Sequence, residues 1–427
     1  MPAMSANVRI RLSIMMFLQY AFNGVWIIPL GFYLHKQGYT AFEIGYAAGT
    51  TIALGCIISP FFVGMIADRF FSAQKVLGVL NILAALFLYV ASQTAVDSQG
   101  VKQPNVFFWV LLAHNLCYMP TWALTNSIAL YQMSNPGKQF PSIRVMGTIG
   151  WIVVSGVTLF SKKLSPLVGS TETIEATRLP MILGSGIGVI AAVFAFFLPS
   201  TPPKPTDHKI SFGDVLGVRA LALFKDRNFA VFAISSFLIL FPAMFYWQFC
   251  NLFLNEIGME FVQFKQSVGQ MAEAVFLFLM PFFFARFGVK KMLLIGMLAW
   301  VGRFLCFQLG DVGSMVFLLY AGLALHGVCF DFFFVTGQLY TDKKAPKEVQ
   351  ASAQGLISLI TFGLGWLFGS VLAGRVIDNY VVENVVDGAV VKGHNWPVVW
   401  LYPVIMAVIV AIFFLVFFDD KTVVGRD

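Results

Sequence analysis

Four ionisable residues lie inside long apolar stretches of this sequence, where an isolated charge is costly. Glu273 and Asp331 carry carboxyl groups, and Arg144 and Arg303 carry guanidinium groups. An ionised side chain at the centre of a bilayer costs about 3 kcal/mol on insertion scales, so such residues usually face a cavity. Phenylalanines flank Asp331, and loss of water around a carboxyl group favours its protonated form. We therefore predict that Glu273 and Asp331 bind and release protons; the alternative is a permanent ion pair with a cation such as Arg303.

The two arginines have different expected roles. Arg144 lies near the start of its apolar stretch, with Thr148 one helical turn later on the same face. It either extends its charged end towards the membrane surface, or it faces a cavity and binds a solute or balances an acid. Arg303 lies deeper in its stretch, and we expect it to be a structural partner.

Uncharged polar and aromatic side chains recur at helical spacing in other apolar stretches. They are Gln19, Asn23 and Trp26 in the first stretch, Asn115, Tyr118, Trp122 and Asn126 in the fourth, and Met244, Trp247 and Asn251, with Gln248 adjacent, in the seventh. Gln270 shares a helix face with Glu273 in the same way, because residues three and four apart are neighbours on a helix. Aromatic rings stack on planar solutes and amides read their edges. The stripes favour a binding cavity for a planar, hydrogen-bonding solute; the alternative is hydrogen bonding between helices.

The composition requires that these residues lie on membrane helices. Hydrophobic residues make up 58% of the 427 positions and charged residues only 11%, whereas soluble domains carry about 25% charged residues. The apolar stretches are unbroken over about 20 residues, the length of a membrane-spanning helix. Twelve spans are predicted, at 8–34, 42–66, 76–96, 106–132, 141–161, 179–198, 228–254, 263–285, 291–309, 314–340, 350–373 and 397–418. The predicted fold is an all-α membrane protein with twelve transmembrane helices in two pseudo-symmetric six-helix bundles.

A Pro-rich, charged segment over 199–227 divides the spans into six and six. The predicted domains are an N-terminal bundle over 1–198, a cytoplasmic linker over 199–227 and a C-terminal bundle over 228–427. Placing the N-terminus inside puts most of the 28 Lys and Arg residues in cytoplasmic segments, as the positive-inside rule requires. Both termini are therefore predicted to be cytoplasmic. No small-residue cleavage site ends the first apolar stretch, so we interpret it as a membrane helix and not as a signal peptide.

Several classes of protein are disfavoured by the same sequence. The net charge of +7 is spread over short runs between apolar spans, which argues against a nucleic-acid partner. The five cysteines lie within spans and match no metal or disulfide spacing. The histidines are scattered, with no H-E-x-x-H or nucleophile–base arrangement. We expect no enzyme activity, no metal and no cofactor, and a monomer whose partners are a small polar solute and the lipid bilayer.

Two short basic turns occupy matching places in the two halves. One follows the second span and contains Gly64, Asp68 and Arg69, and the other follows the eighth span. Matching turns in six-plus-six spans fit two parallel repeats, although basic turns also arise from topology signals alone. The first turn resembles the G-x-x-x-D-R gating motif of the major facilitator superfamily. Phe71 and Ser72 replace that motif's usual second Gly and following Arg.

The chain as a whole resembles the bacterial nucleoside:proton symporters of the major facilitator superfamily, the group that includes nucleoside and xanthosine permeases. The resemblance is carried by Leu18–Gln19–Tyr20 with Gly24 and Trp26, Tyr118–Met119–Pro120–Thr121 with Asn126, Ile143–Arg144–Val145–Met146–Gly147–Thr148–Ile149–Gly150, Pro281–Phe282–Phe283, Phe330–Asp331–Phe332–Phe333 and Ala351–Ser352–Ala353–Gln354–Gly355. It implies proton-coupled nucleoside uptake across the bacterial inner membrane by alternating access, with the nucleoside in a central cavity between the two halves and the proton as coupling ion.

The resemblance also implies roles for individual residues. Arg144 and Thr148 would line the pocket from the N-terminal half, and Gln270 and Glu273 would contact the ribose or base. Phe330 would stack on the base, and Asp331 would join Glu273 in proton coupling. The full set of expected substrate-binding residues is Arg144, Thr148, Gln270, Glu273, Phe330, Gln19, Asn23, Tyr118, Trp247 and Gln248.

The seventh span departs from the family pattern, which places a Gln and an Asn where this chain has Met244 and Trp247. Gln248 is expected to substitute from one residue away. The departure leaves a sugar or another small neutral metabolite as an alternative substrate. A passive channel and a membrane-embedded enzyme are further alternatives of a different class.

Overall fold

The computed structural model describes residues 4–58, 71–203, 218–386 and 389–419. The structure is almost entirely helical within these ranges. In the N-terminal half the helices are α1 (Ala6–Ile27), α2 (Leu30–Lys36), α3 (Ala41–Ile44), α4 (Ala73–Thr94), α5 (Pro104–Tyr131), α6 (Pro136–Ser155), α7 (Ser161–Leu164) and α8 (Leu179–Ala195). In the C-terminal half they are α9 (Arg227–Glu256), α10 (Val262–Leu309), α11 (Val316–Ala324), α12 (His326–Phe330), α13 (Thr336–Lys344), α14 (Gln350–Ser358), α15 (Trp366–Asp378) and α16 (Trp396–Phe417).

These helices confirm the prediction of an all-α membrane protein. Among the described residues, nine helices are long and apolar enough to cross a membrane. The shorter apolar helix α8 occupies another predicted span. The predicted spans at 263–285 and 291–309 follow one another without a loop in α10, as two helices that meet at a kink where Gly288 has the non-helical angles φ 66° and ψ 178°. Glycine adopts a positive φ without the steric cost that a Cβ would impose, so one residue suffices for the break. The count of twelve transmembrane helices stays a prediction.

The chain separates into two compact units. Unit 1 comprises Met1–Tyr39 and Thr50–Ile210, and unit 2 comprises Thr40–Gly49 and Ser211–Asp427. The second division falls inside the predicted linker, of which Val218–Lys225 is a short 3-10 helix. Unit 2 includes Thr40–Gly49 from the N-terminal half of the sequence, so the assignment of these residues to an N-terminal bundle stays a prediction. The turn with Gly64, Asp68 and Arg69 lies outside the described residues.

Three helices contain a π-helical segment, in which the hydrogen bonds skip one additional residue. These segments are Gly45–Thr50, Asp331–Val335 and Leu359–Gly365. Short π-helical insertions often accompany functional positions because they interrupt the regular α-helical hydrogen bonding. One of them begins at the buried acid Asp331, between α12 and α13.

A β-hairpin that the sequence did not lead us to expect precedes the last helix. Its strands, β1 (Val381–Val386) and β2 (Ala389–His394), pair antiparallel, with Val381 opposite His394. The carboxylate of Glu256 accepts a hydrogen bond from the His394 backbone N–H (3.1 Å) and one from Trp396 Nε1 (2.8 Å). These bonds tie the end of the hairpin to the end of α9.

Candidate functional site

The cation predicted in unit 1 lies over an aromatic ring. The Cζ atom of Arg144 is 4.3 Å from the centroid of the Tyr20 ring, and Tyr20 stacks on Trp122 at 5.4 Å between centroids. Gly147, on the same helix as Arg144, makes this approach possible, because a Cβ atom there would lie 2.7 Å from the Tyr20 ring. Arg144 and Thr148 are both half-buried. A guanidinium group held flat on a ring keeps hydrogen-bond donors at its edges for a polar solute.

A layer of uncharged hydrogen bonds lies beside this pair in unit 1. The amide of Gln19, only 1% exposed, donates to Thr121 Oγ1 at 2.7 Å and accepts from Asn81 Nδ2 at 3.0 Å. The Tyr118 hydroxyl donates to the backbone carbonyl of Gln19 at 2.7 Å. Gln19 and Tyr118, both predicted to bind substrate, thus already have protein partners.

Asn23 differs from Gln19, although the two lie one turn apart on α1. Its side chain is buried, and its Oδ1 atom accepts no hydrogen bond within the described residues. A buried amide oxygen without a donor costs free energy, and a bound solute or water would supply the missing bond. Asn23 therefore fits the predicted binding role better than Gln19 does.

Unit 2 holds a group of ionisable side chains that links α10 to α12. The Nε2 atom of His326 lies 3.8 Å from Oε2 of Glu273, whose side chain is 24% exposed. On the other side of the ring, His326 Nδ1 lies 3.1 Å from an Arg303 guanidinium nitrogen. The fully buried Arg303 also lies 3.1 Å above the ring centroid of Tyr246. Arg303 thus contacts a histidine and an aromatic ring, and its expected structural role stays a prediction.

The second predicted acid has no hydrogen-bond partner. Asp331 is 1% exposed, and neither of its carboxyl oxygens accepts a hydrogen bond within the described part of the chain. Within the described residues no ion pair joins Arg303 to Asp331, so the alternative of a permanent pair with Arg303 loses its support for this acid. A buried carboxyl group without a donor is stable mainly in its protonated form, which suits a group that carries a proton.

Aromatic rings of unit 2 stack on one another along the spans that carry the acids. Phe330 lies between His326, at 6.0 Å, and Phe334, at 5.4 Å between centroids. Trp247 stacks on Trp366 at 5.0 Å with an interplanar angle of 17°. Near Glu273, the Oε1 atom of Gln270 accepts no hydrogen bond within the described residues. Phe330, Gln270 and Glu273 therefore offer a ring face, an amide and a carboxyl group to a polar solute.

Gln248 occupies a tightly packed position. Its Nε2 atom donates to Ser370 Oγ at 2.5 Å. A Cβ atom added at Gly49 would lie 2.1 Å from that same Nε2 atom, so Gln248 fills the space that this glycine leaves. Within unit 2, Gln248 therefore joins α9 to α15, and its predicted role in binding rests on its amide oxygen, which accepts no bond from the described residues.

His326 is the residue whose position sequence reasoning missed. It lies between the candidate acid Glu273 and the buried cation Arg303. The signal available in the sequence was its spacing, four residues before Phe330 and five before Asp331 on one span. No local sequence pattern predicts its contact with Arg303, which lies 23 residues away.

Comparisons with known proteins agree with this geometry. The sequence profile described as "Nucleoside H+ symporter" matches residues 6–423. The Escherichia coli (strain K12) protein YegT is 41% identical over 414 residues, covering 96% of this chain and 94% of YegT. The xanthosine permease of the same organism is 30% identical over 423 residues, covering 94% of this chain and 95% of the permease. The crystal structure of the nucleoside transporter NupG matches with a TM-score of 0.82 and 28% identity, over 97% of this chain and all of that one.

The fold and the buried ionisable residues define a multi-pass membrane transporter of the major facilitator fold. Within that class, the chain belongs to the nucleoside:proton symporter family.

Proposed function

We propose that this protein takes up nucleosides together with protons by alternating access. The observation that carries the proposal is the buried carboxyl group of Asp331, which has no hydrogen-bond donor within the described residues and begins a π-helical segment. A permanently ionised group would not be tolerated there, whereas a group that gains and loses a proton with each transport cycle would be.

The substrate-binding residues fall into two sets, one in each unit. In unit 1, Arg144 and Thr148 present donors beside the Tyr20 ring, and Asn23 adds an acceptor. In unit 2, Phe330 stacks on the base, and Gln270 and Glu273 bind the polar edge of the nucleoside. That the two sets face one cavity is a prediction of the sequence. Gln19 and Tyr118 act through the hydrogen bonds that hold α1 against α5.

The proton supplies the energy for accumulation. Glu273 and Asp331 bind a proton from outside, and neutralising the acids lowers the cost of enclosing them with the substrate. One charge crossing about 100 mV is worth about 2.3 kcal/mol, which corresponds to roughly fifty-fold accumulation of a neutral solute. No cofactor takes part in this cycle.

The charge pattern and the family support a proposal for the membrane and the orientation of the protein. We place the protein in a bacterial inner membrane as a monomer with both termini in the cytoplasm, because the basic segments then lie inside. Gly64, Asp68 and Arg69 would control closure on that side. The two six-helix bundles over 1–198 and 228–427 would move about the linker over 199–227.

Uptake of radiolabelled uridine or adenosine into proteoliposomes, with and without a protonophore, tests the proposal. We expect accumulation that depends on an inwardly directed proton gradient and collapses when the protonophore is added. Uptake that is indifferent to the gradient would exclude proton coupling and favour a passive channel.

Competition by unlabelled solutes tests the substrate class. Nucleosides should displace the labelled nucleoside, while sugars at the same concentration should not. Displacement by a sugar and not by nucleosides would overturn the nucleoside assignment while leaving a proton-coupled transporter in place.

A further inference from the structure

His326 lies between a carboxyl group and a permanently charged guanidinium group. Its Nε2 atom is 3.8 Å from Glu273 Oε2, and its Nδ1 atom is 3.1 Å from an Arg303 nitrogen. The side chain is buried. Neither the predicted transport cycle nor the substrate-binding residues make use of this imidazole.

The contact with Arg303 determines the tautomer of His326. An arginine side chain has donors and no acceptor, and it stays charged in proteins. Nδ1 must therefore accept the hydrogen bond from Arg303, and it cannot carry a proton itself. A neutral imidazole with a bare Nδ1 carries its proton on Nε2, so the N–H group points towards Glu273.

Close helix packing holds the ring in this place. A Cβ atom added at Gly327 would lie 2.6 Å from the Ala272 carbonyl oxygen and 2.7 Å from the Glu273 backbone nitrogen. A Cβ atom added at Gly269 would lie 3.1 Å from His326 Cβ. Small residues at both positions let α10 and α12 approach closely, which fixes the imidazole relative to the acid.

We propose that His326 is a positioning residue for proton coupling, which presents a fixed N–H group, with the Arg303 charge behind it, to the carboxylate of Glu273. This inference rests on the proposed function. At 3.8 Å the contact exceeds hydrogen-bond range, so its effect is an electrostatic attraction that stabilises the ionised acid. His326 thereby sets the pH at which Glu273 releases its proton, without accepting that proton.

The groups around this contact are consistent with such a role. Among the described residues, the titratable and charged neighbours include Tyr246 and Cys250 from α9, Glu273 and Arg303 from α10, and Cys329 and Asp331 from the segment that contains His326. The phenol and the thiols stay neutral near pH 7. The charge of the cluster therefore changes only at the two acids, against the constant charge of Arg303.

Two substitutions of His326 separate positioning from packing. In His326→Gln the amide oxygen accepts from Arg303 and the amide nitrogen donates towards Glu273, at a spacing close to that of the two ring nitrogens. In His326→Leu both polar atoms are lost. The measurement is nucleoside uptake by proteoliposomes as a function of external pH. His114→Gln is the control, because His114 is also a buried histidine but hydrogen-bonds to the Ala84 carbonyl in unit 1.

We expect the pH of half-maximal uptake to move by about one unit to more alkaline values in His326→Leu, because Glu273 then holds its proton more tightly. His326→Gln and His114→Gln should keep the wild-type midpoint. An unchanged midpoint in folded His326→Leu would overturn the inference. If the wild-type protein itself shows no proton-driven uptake, the proposed function fails and not this inference alone.

The tautomer provides a second test that needs no variant to remain active. Solid-state NMR of the full chain in lipid, with ¹⁵N-labelled histidine, reports which ring nitrogen is protonated. The His326 signal is identified by its loss in His326→Gln. A neutral ring protonated on Nε2 is expected; a ring protonated on Nδ1, or a charged ring, would contradict the proposal.

Discussion

The polar groups of the two units are organised differently. In unit 1, Gln19, Asn81, Thr121 and Tyr118 form a layer of uncharged hydrogen bonds, and the neighbouring cation Arg144 rests on an aromatic ring. In unit 2, the interior holds two acids, a histidine and a fully buried arginine, and both carboxyl oxygens of Asp331 have no hydrogen-bond partner among the described residues.

The difference indicates a division of roles. Hydrogen bonds between uncharged side chains rigidify a structure, whereas buried ionisable groups can respond to a proton or a ligand. Under the proposed function, we therefore expect unit 1 to provide the more rigid binding surface and unit 2 to provide the part that responds to pH. Proton coupling should depend on unit 2, and substrate affinity should depend on both units.

The largest effect that would test this division is expected from Asp331→Asn. An amide cannot exchange a proton in the transport cycle, so the gradient can no longer drive uptake. Accumulation in proteoliposomes should fall from roughly fifty-fold to equilibration. Asp311→Asn, in an exposed turn, is the control. Normal concentrative uptake by Asp331→Asn would remove this acid from the coupling mechanism.

Arg144→Lys tests whether the cation of unit 1 acts on affinity alone. Lysine keeps the charge and loses the planar group that lies on Tyr20, a contact worth about 0.5–2 kcal/mol. The KM for nucleosides should rise about fivefold, while the pH profile stays at the wild-type position. Arg178→Lys, where the arginine binds Gln93 outside the site, is the matched control. A shifted pH profile would place Arg144 with the charged cluster instead.

Asn81→Ala tests whether the layer of unit 1 is structural. The substitution removes the donor that serves Gln19 Oε1, and a buried acceptor without a donor costs about 1–3 kcal/mol. Thermal unfolding of the solubilised protein should therefore occur at a lower temperature than in an exposed-loop control such as Gln99→Ala. Unchanged stability together with a raised KM would show that the Gln19 amide serves the substrate.

The smallest effect concerns an acid of unit 2 outside the membrane spans. Asp226 accepts the Phe229 N–H at the start of α9 and pairs with Lys344 at 3.1 Å. Partial burial raises the pKa of Asp226, but the bond from Phe229 and the contact with Lys344 outweigh it, so the pKa is lowered overall. Because its pKa is lowered, ionised Asp226 stabilises the folded state at pH values above the ordinary pKa of aspartate. This stabilisation is lost as the pH falls through the folded-state pKa.

Asp226→Asn should therefore reduce stability at neutral pH and have less effect at acidic pH. Asparagine keeps an oxygen that can cap the helix, so the substitution removes mainly the attraction between the negative charge and the helix N-terminus, which is worth about 0.3–1 kcal/mol. The side chain is 41% exposed, so the ion pair adds little. Unfolding of both proteins between pH 3 and 7 measures the difference. A change in the pH profile of uptake would show that proton sensitivity extends beyond the Glu273–Asp331 region.

Much of the fold could be predicted because the membrane imposes it on the sequence. Long apolar stretches must form helices in lipid, so most helix positions followed from composition and length. The hairpin Val381–Val386 with Ala389–His394 was not predicted, because strands outside the bilayer lack that constraint. The sequence predicted a longer turn where the structure has a break at Gly288. Basic residues indicate where a chain reaches the membrane surface, but they do not indicate how many residues there are non-helical.

The candidate site divides in the same way. The sequence by itself determined which residues are chemically unusual, because a charge in an apolar stretch is costly wherever the helix packs; Glu273, Asp331, Arg144 and Arg303 were identified on that ground. Only the tertiary structure decided their partners: Arg144 lies on Tyr20, Gln19 is already bonded, and His326 joins Arg303 to Glu273. Burial cost is a property of one segment, whereas a hydrogen bond depends on how distant segments pack.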